Sequence, residues 1–150
     1  MGQLGGILCV LVFAVLLGTA IGAVILRAAC SIFNKFAEPQ NHVPEPSFGY
    51  AMLIAFVTTV VNSIVGFGVG LVIGVGLANS GMTEQQVALV AQVISLPFSI
   101  LVMAVMNMLM LPTTFARGLL VALLYLAVAI AVAIVIGLVV FAVIAIFAAM

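Results

Sequence analysis

The sequence predicts an all-α integral membrane protein: a single domain over residues 1–150 that forms a four-transmembrane-helix bundle with short loops and a juxtamembrane amphipathic helix. Two observations lead to this fold class. Of the 150 residues, 68% are hydrophobic and 4% are charged, whereas soluble domains have about 45–50% apolar and about 25% charged residues. The chain also contains four uncharged apolar segments, each longer than the roughly 20 residues that a helix needs to cross a bilayer.

The first predicted span covers residues 4–26, and residues 27–38 extend it as an amphipathic segment. We expect the span to be retained, because it is long for a signal peptide and no basic region precedes it. The polar residues of the segment recur at helical spacing on one face; they are Arg27, Ser31, Asn34, Lys35 and Glu38. Two interpretations stay open: an interfacial helix that contacts lipid headgroups or a partner subunit, or an extension of the first span out of the membrane.

The first loop, residues 39–49, is the longest polar stretch, and it carries one histidine and one glutamate. Its three prolines prevent a continuous helix. A single histidine cannot supply the three or four ligands of an ordinary metal site, so we expect a solvated loop with no metal and no cofactor. The VPEPSFG segment at residues 43–49 receives no role. The loop and the amphipathic segment together predict an interfacial docking surface, which consists of Arg27, Lys35, Phe36, His42 and Glu45.

The second predicted span, residues 50–78, contains glycine at every fourth position over part of its length. This spacing places the small residues on one helix face, where close backbone approach favours helix association in lipid. The first and fourth spans repeat the spacing. An alternative is that the glycines let a helix bend or line a pathway. The predicted helix-packing residues are Gly18, Gly22, Gly66, Gly70, Gly74, Ala129, Ala133 and Gly137.

The third predicted span, residues 87–111, follows a capping box formed by Thr83 and Gln86. Polar residues near the middle of the second and third spans predict a mid-membrane polar cluster; they are Thr59, Asn62, Ser63, Gln92, Ser95 and Ser99. Asn62 and Ser99 lie at similar depth in antiparallel helices, so a hydrogen bond between them is feasible if those faces meet. The cluster is interpreted either as interhelical hydrogen bonding or as the lining of a small polar cavity beside Pro97.

The fourth predicted span, residues 119–149, is longer than one crossing requires, so tilt or a protruding end is expected. Arg27, Lys35 and Arg117 all fall in the first and third loops. The positive-inside rule therefore places the loops at residues 27–49 and 112–118 in the cytoplasm and both termini outside. Compact loops and the lack of sorting signals favour the bacterial inner (cytoplasmic) membrane.

Several function classes are disfavoured by the same residues. No charged residue and no histidine lies inside a predicted span, which argues against an ion-coupled pump. No basic cluster is available for nucleic acid, and no nucleophile with a base and an orienting group can be assembled for an enzyme. The expected function is therefore a non-enzymatic packing or scaffold subunit, whose partners are the lipid bilayer and copies of itself or other membrane subunits, with lipid headgroup contact at residues 27–38. The alternative is an oligomeric passive channel or facilitator for a small solute, lined by the mid-membrane Asn, Ser and Gln residues.

Overall fold

The computed structural model describes residues 2–77 and 80–149 and consists of four long helices joined by short connections. The helices are α1 (Gly2–Phe36), α2 (Phe48–Leu77), α3 (Glu84–Met110) and α4 (Phe115–Ala149), with a short 3₁₀ helix (Pro39–Asn41) in the first loop. All four are long and apolar enough to cross a membrane. The described residues contain no strand, so the predicted all-α four-helix architecture is confirmed.

The amphipathic segment is the last part of α1. Residues 27–36 continue the helix without a break, so the segment is not a helix separate from the first span. At 1.5 Å per residue the 35 residues of α1 measure roughly 52 Å, against about 30 Å for the hydrocarbon core of a bilayer. About two fifths of the helix length therefore exceeds what one perpendicular crossing needs.

The start of α3 is fixed by a local hydrogen-bonding motif. The Thr83 hydroxyl accepts from the Gln86 amide at 3.3 Å, and the Thr83 amide donates to the Gln86 side-chain oxygen at 3.0 Å. This capping box pairs both Thr83 and Gln86 as predicted from the sequence. Helix α3 begins at Glu84, directly after the cap and three residues before the predicted apolar span. The negative charge of Glu84 in the first turn also stabilises the helix, because it interacts favourably with the positive end of the helix dipole.

The four helices form a ring in which each helix packs against two neighbours. Helix α1 packs against α2 and α4, and α3 packs against the same two helices. Because consecutive helices run in opposite directions, the α1–α2 and α3–α4 connections lie at one end of the bundle. The α2–α3 connection and both ends of the chain lie at the other.

The buried core is confined to the end that holds the α1–α2 and α3–α4 connections. Buried residues occur only within 19–30, 43–58, 104–111 and 118–122. We call this part of the bundle, together with the two connections and the helix turns next to them, the packed end. The opposite part, near the α2–α3 connection, is the open end, and it contains no buried residue among those whose burial is described. Leu26, Ile54 and Leu111 are among the largest fully buried side chains of the packed end.

Two glycines mark the closest helix approaches of the packed end. A Cβ atom added at Gly22 of α1 would lie 3.2 Å from the Ala55 Cβ of α2 and 3.2 Å from the Tyr125 hydroxyl of α4. A Cβ atom added at Gly118 of α4 would lie 2.7 Å from the Ala104 carbonyl oxygen of α3. Apolar side chains gain little from meeting one another in lipid, so such close approaches are a main source of stability for the bundle.

The crossing of α3 and α4 predicts a large difference between two glycine substitutions on the same helix. Gly118→Ala should lower the free energy of unfolding by about 1–3 kcal/mol, because the new methyl group overlaps the Ala104 carbonyl. Gly137→Ala should be neutral or stabilising by up to about 1 kcal/mol, since Cβ at Gly137 meets no described atom within 4 Å and alanine has the higher helix propensity. Unfolding of the purified protein in mixed detergent micelles measures both changes, and equal effects would contradict the close crossing.

Candidate functional site

The first loop is fastened to α1 by one asparagine. The Asn34 side-chain amide donates to the Val43 carbonyl at 2.9 Å, and the Asn34 side-chain oxygen accepts from the Val43 amide at 2.8 Å. Val43 is only 1% exposed, so its backbone groups need partners inside the protein. The asparagine supplies both, and it thereby holds the loop against the end of α1.

Other side chains tie the remaining helices together at the packed end. The Tyr50 hydroxyl of α2 donates to the Met110 carbonyl of α3 at 2.8 Å. The Arg117 guanidinium of α4 donates to the Asn41 side-chain oxygen in the first loop at 2.6 Å. Asn107 of α3 is fully buried, and its amide lies 3.4 Å from the Gly118 carbonyl of α4. At this end, each helix therefore forms at least one side-chain hydrogen bond with another helix or with the first loop.

An open cavity of about 700 Å³ lies between the end of α1 and the start of α4; we call it the α1–α4 cavity. Its apolar lining includes Phe33, Phe36, Leu120, Leu123 and Leu124. Its polar lining consists of Glu38, Asn41 and Arg117. Apolar walls with a few polar groups are typical of binding sites for small organic molecules.

The predicted docking residues all lie at the packed end, but they do not form one site. Arg27, Lys35, Phe36, His42 and Glu45 are each exposed. Phe36, at 88% exposure, is the one that lines the α1–α4 cavity. Arg117 was absent from the predicted docking surface, although its position at the start of a span next to a loop was the available signal. Within the described residues, no three His, Cys, Asp or Glu side chains lie close enough together to hold a metal ion.

Most of the predicted helix-packing glycines face open space. Only Gly22 makes a close contact; the positions where an added Cβ meets no described atom within 4 Å include Gly18, Gly66, Gly70, Gly74 and Gly137. On α4, Ala129 is half-buried and Ala133 is exposed. These small-residue faces therefore do not hold the chain's own helices in close contact. Gly118, which does, was missed, although Ala122 four residues later gives it the same small-residue spacing.

The predicted polar cluster does not assemble through hydrogen bonds between helices. Thr59, Ser63 and Ser95 each donate to the carbonyl four residues earlier in their own helix, at 2.7–2.9 Å. The hydrogen bond considered feasible between Asn62 and Ser99 is not formed in the structure. Hydroxyl groups on helices readily find a partner in the preceding turn, which removes the need for one across the bundle. Ser99 is half-buried and Gln92 is exposed.

Two oxygen atoms on α2 are buried without a partner among the described residues. They are the Thr58 hydroxyl and the Asn62 side-chain oxygen, which lie one helical turn apart. Thr58 is 6% exposed and borders the packed end. Beyond it the cluster that includes Leu26, Ile54 and Leu111 fills the packed end with apolar side chains. The unpartnered oxygens therefore form a small polar site inside the bundle. They do not continue into a polar path through the described part of the chain.

The loop attachment predicts a local effect of Asn34→Ala. The substitution should leave the Val43 amide and carbonyl without partners, at a cost of about 1–3 kcal/mol for each group. Hydrogen exchange at the Val43 amide should accelerate accordingly. Gln40→Ala is the matched control, since the Gln40 amide bonds only to the exposed Glu38 side chain. Unchanged exchange at Val43 in Asn34→Ala would contradict the attachment.

No protein-family model, curated protein or solved structure matches this chain, so its function must be inferred from the residues and contacts described above.

Proposed function

We propose that this protein is a non-enzymatic membrane packing subunit, which associates with copies of itself or with other membrane subunits through the small-residue faces of its open end. The carrying observation is the glycine repeat of α2. An added Cβ at Gly66, Gly70 or Gly74 meets no described atom within 4 Å. In lipid, such a face allows the close backbone approach of another helix, and the chain's own helices do not use it in this way.

The division of the bundle into two ends supports this proposal. At the packed end the four helices are held together by the close approaches at Gly22 and Gly118 and by the hydrogen bonds of Asn34 and Tyr50. The open end is therefore not required to be tightly packed within the chain. Its helix segments are available for contacts with neighbouring helices.

Grooves at the open end have the shape that a neighbouring helix would fill. One groove of about 310 Å³ runs along α2 past Gly70 and Gly74 and is bordered by Phe67, Leu71 and Val75. A second, of about 630 Å³, lies between α1 and α2 beside Gly18. Large side chains beside glycines are typical of the knobs and hollows through which membrane helices interlock.

The charges support one orientation in the membrane. Arg27, Lys35 and Arg117 all lie at the packed end, as do the exposed aromatic residues Tyr50 and Phe115. Basic residues favour the cytoplasmic side, and aromatic residues favour the interface. We therefore place the packed end in the cytoplasm and both termini outside, with the bacterial inner membrane as the proposed location.

A second candidate is an oligomeric facilitator for a small polar solute. The unpartnered oxygens of Thr58 and Asn62 favour it, because unpaired polar atoms at membrane depth are costly. The apolar core of the packed end argues against a path through one chain, so a path would have to lie between copies. Solute flux into liposomes that Asn62→Leu abolishes, without a change in the assembly, would favour this candidate over the scaffold.

The scaffold proposal predicts that Gly70→Leu disrupts the assembly and spares the monomer. The leucine fills the face that a neighbouring helix needs, whereas Cβ at this position meets no described atom of the chain itself within 4 Å. Light scattering of the protein after gentle extraction should show loss of the larger species, and unfolding of the monomer should be unchanged.

The matched control is Val72→Leu, which adds volume at an exposed position on the opposite face of the same helix. It should leave the assembly intact. Gly70→Ala, a smaller change, should weaken the assembly in the same direction. An assembly of unchanged mass in Gly70→Leu would contradict the proposal.

A further inference from the structure

The α1–α4 cavity is separate from the faces assigned to association. It lies at the packed end, between the last turns of α1 and the first turns of α4. Its lining changes in character along both helices. Phe33 lies on α1, and the charged Glu38 follows in the loop just after the helix end; on α4, Leu120 and Leu124 follow the charged Arg117. Since the two helices run in opposite directions, both place their apolar residues on the membrane side of the cavity and their charged residues on the water side.

The residues around the cavity are of the types that favour the depth of the lipid headgroups. Helix α1 is longer than one perpendicular crossing requires, which leaves enough length for its last turns to lie beyond the hydrocarbon core. Phe48, Tyr50 and Phe115 are exposed at the same end of the bundle, where an aromatic belt marks the membrane interface. A ligand in this cavity would meet hydrocarbon at one end and water at the other.

The charges of the cavity have only neutral partners among the described residues. Arg117 donates to the Asn41 side-chain oxygen at 2.6 Å, and Glu38 accepts from the Gln40 amide. A guanidinium group has five N–H donors, and Asn41 takes one of them. The cavity therefore presents one cation and one anion, each able to bind an opposite charge.

We propose that the α1–α4 cavity binds a phospholipid of the phosphatidylethanolamine class, with its phosphate on Arg117, its ammonium group on Glu38 and an acyl chain along Phe33, Leu120 and Leu124. Charge complementarity carries the choice of headgroup. A phosphate and a primary ammonium match the one cation and the one carboxylate of the cavity. An anionic headgroup such as phosphatidylglycerol leaves Glu38 without a partner, and the trimethylammonium group of phosphatidylcholine has no N–H to donate to a carboxylate.

Native mass spectrometry of the delipidated full chain tests the proposal. The protein is titrated with phosphatidylethanolamine, phosphatidylglycerol and phosphatidylcholine that carry the same acyl chains. Wild-type protein should bind one phosphatidylethanolamine about tenfold more tightly than either other lipid, the change expected from one additional charge-assisted hydrogen bond.

Two substitutions separate the roles of the charges. Arg117→Gln should lose the tight binding of phosphatidylethanolamine. Glu38→Gln should lower the preference for phosphatidylethanolamine over phosphatidylglycerol, because the phosphate contact remains and the ammonium contact is lost. Lys35→Gln is the matched control: it removes an exposed cation close to the cavity, but Lys35 does not line it.

Asn41→Ala controls for a loosened loop, since it breaks the bond to Arg117 and keeps the guanidinium group. It should retain lipid binding. Equal binding of the three lipids, or equal phosphatidylethanolamine binding by wild type and Arg117→Gln, would overturn the proposal. So would cross-linking of a cysteine in place of Phe36 to a second copy of the chain, because another polypeptide would then occupy the cavity.

Discussion

Membrane helices cannot rely on the hydrophobic effect to hold them against one another, because the surrounding lipid is as apolar as their side chains. They depend instead on close backbone approach and on hydrogen bonds. This chain concentrates both at one end. Gly22 and Gly118 bring the helices together there. Asn34 adds hydrogen bonds from α1 to the first loop, and Tyr50 adds one from α2 to the end of α3.

The concentration of contacts at the packed end has a consequence for the rest of the molecule. Because the buried core is confined to that end, the small-residue faces of the open end make no close contact within the described part of the chain, and we propose that other helices cover them. The charged residues follow the same division, since Arg27, Lys35 and Arg117 all lie at the packed end. One end is thus suited to lipid headgroups and the other to association within the membrane, which is the basis of both proposals.

Local patterns in the sequence predicted the parts of the fold that depend on neighbouring residues. The four helices follow from length and hydropathy, and the Thr83–Gln86 capping box follows from its spacing. Contacts between helices depend on rotation and crossing angle, which spacing does not define. The glycine repeat of α2 therefore predicted a packing face but not its position relative to the other helices. Gly118, which makes the tightest approach, has the same four-residue spacing to Ala122, and nothing in that spacing distinguishes it from the glycines that make no close contact.

The depth of a residue along its helix likewise did not predict which side chains from different helices form a contact. Asn62 and Ser99 were expected at similar depth from their distances to the helix ends, yet no hydrogen bond joins them. The α1–α4 cavity could not be predicted either, since it combines residues that are distant in sequence, such as Phe33 and Arg117. Only the packing of α1 against α4 brings them to the same site.

The central claim is that the glycine face of α2 contacts another protein chain in the membrane. The most direct measurement is photo-cross-linking in native membranes from a photoreactive side chain in place of Val75, an exposed residue that borders the groove beside Gly74. The account predicts an adduct with a second polypeptide, either a copy of this chain or a partner subunit. Adducts with lipid alone would contradict it.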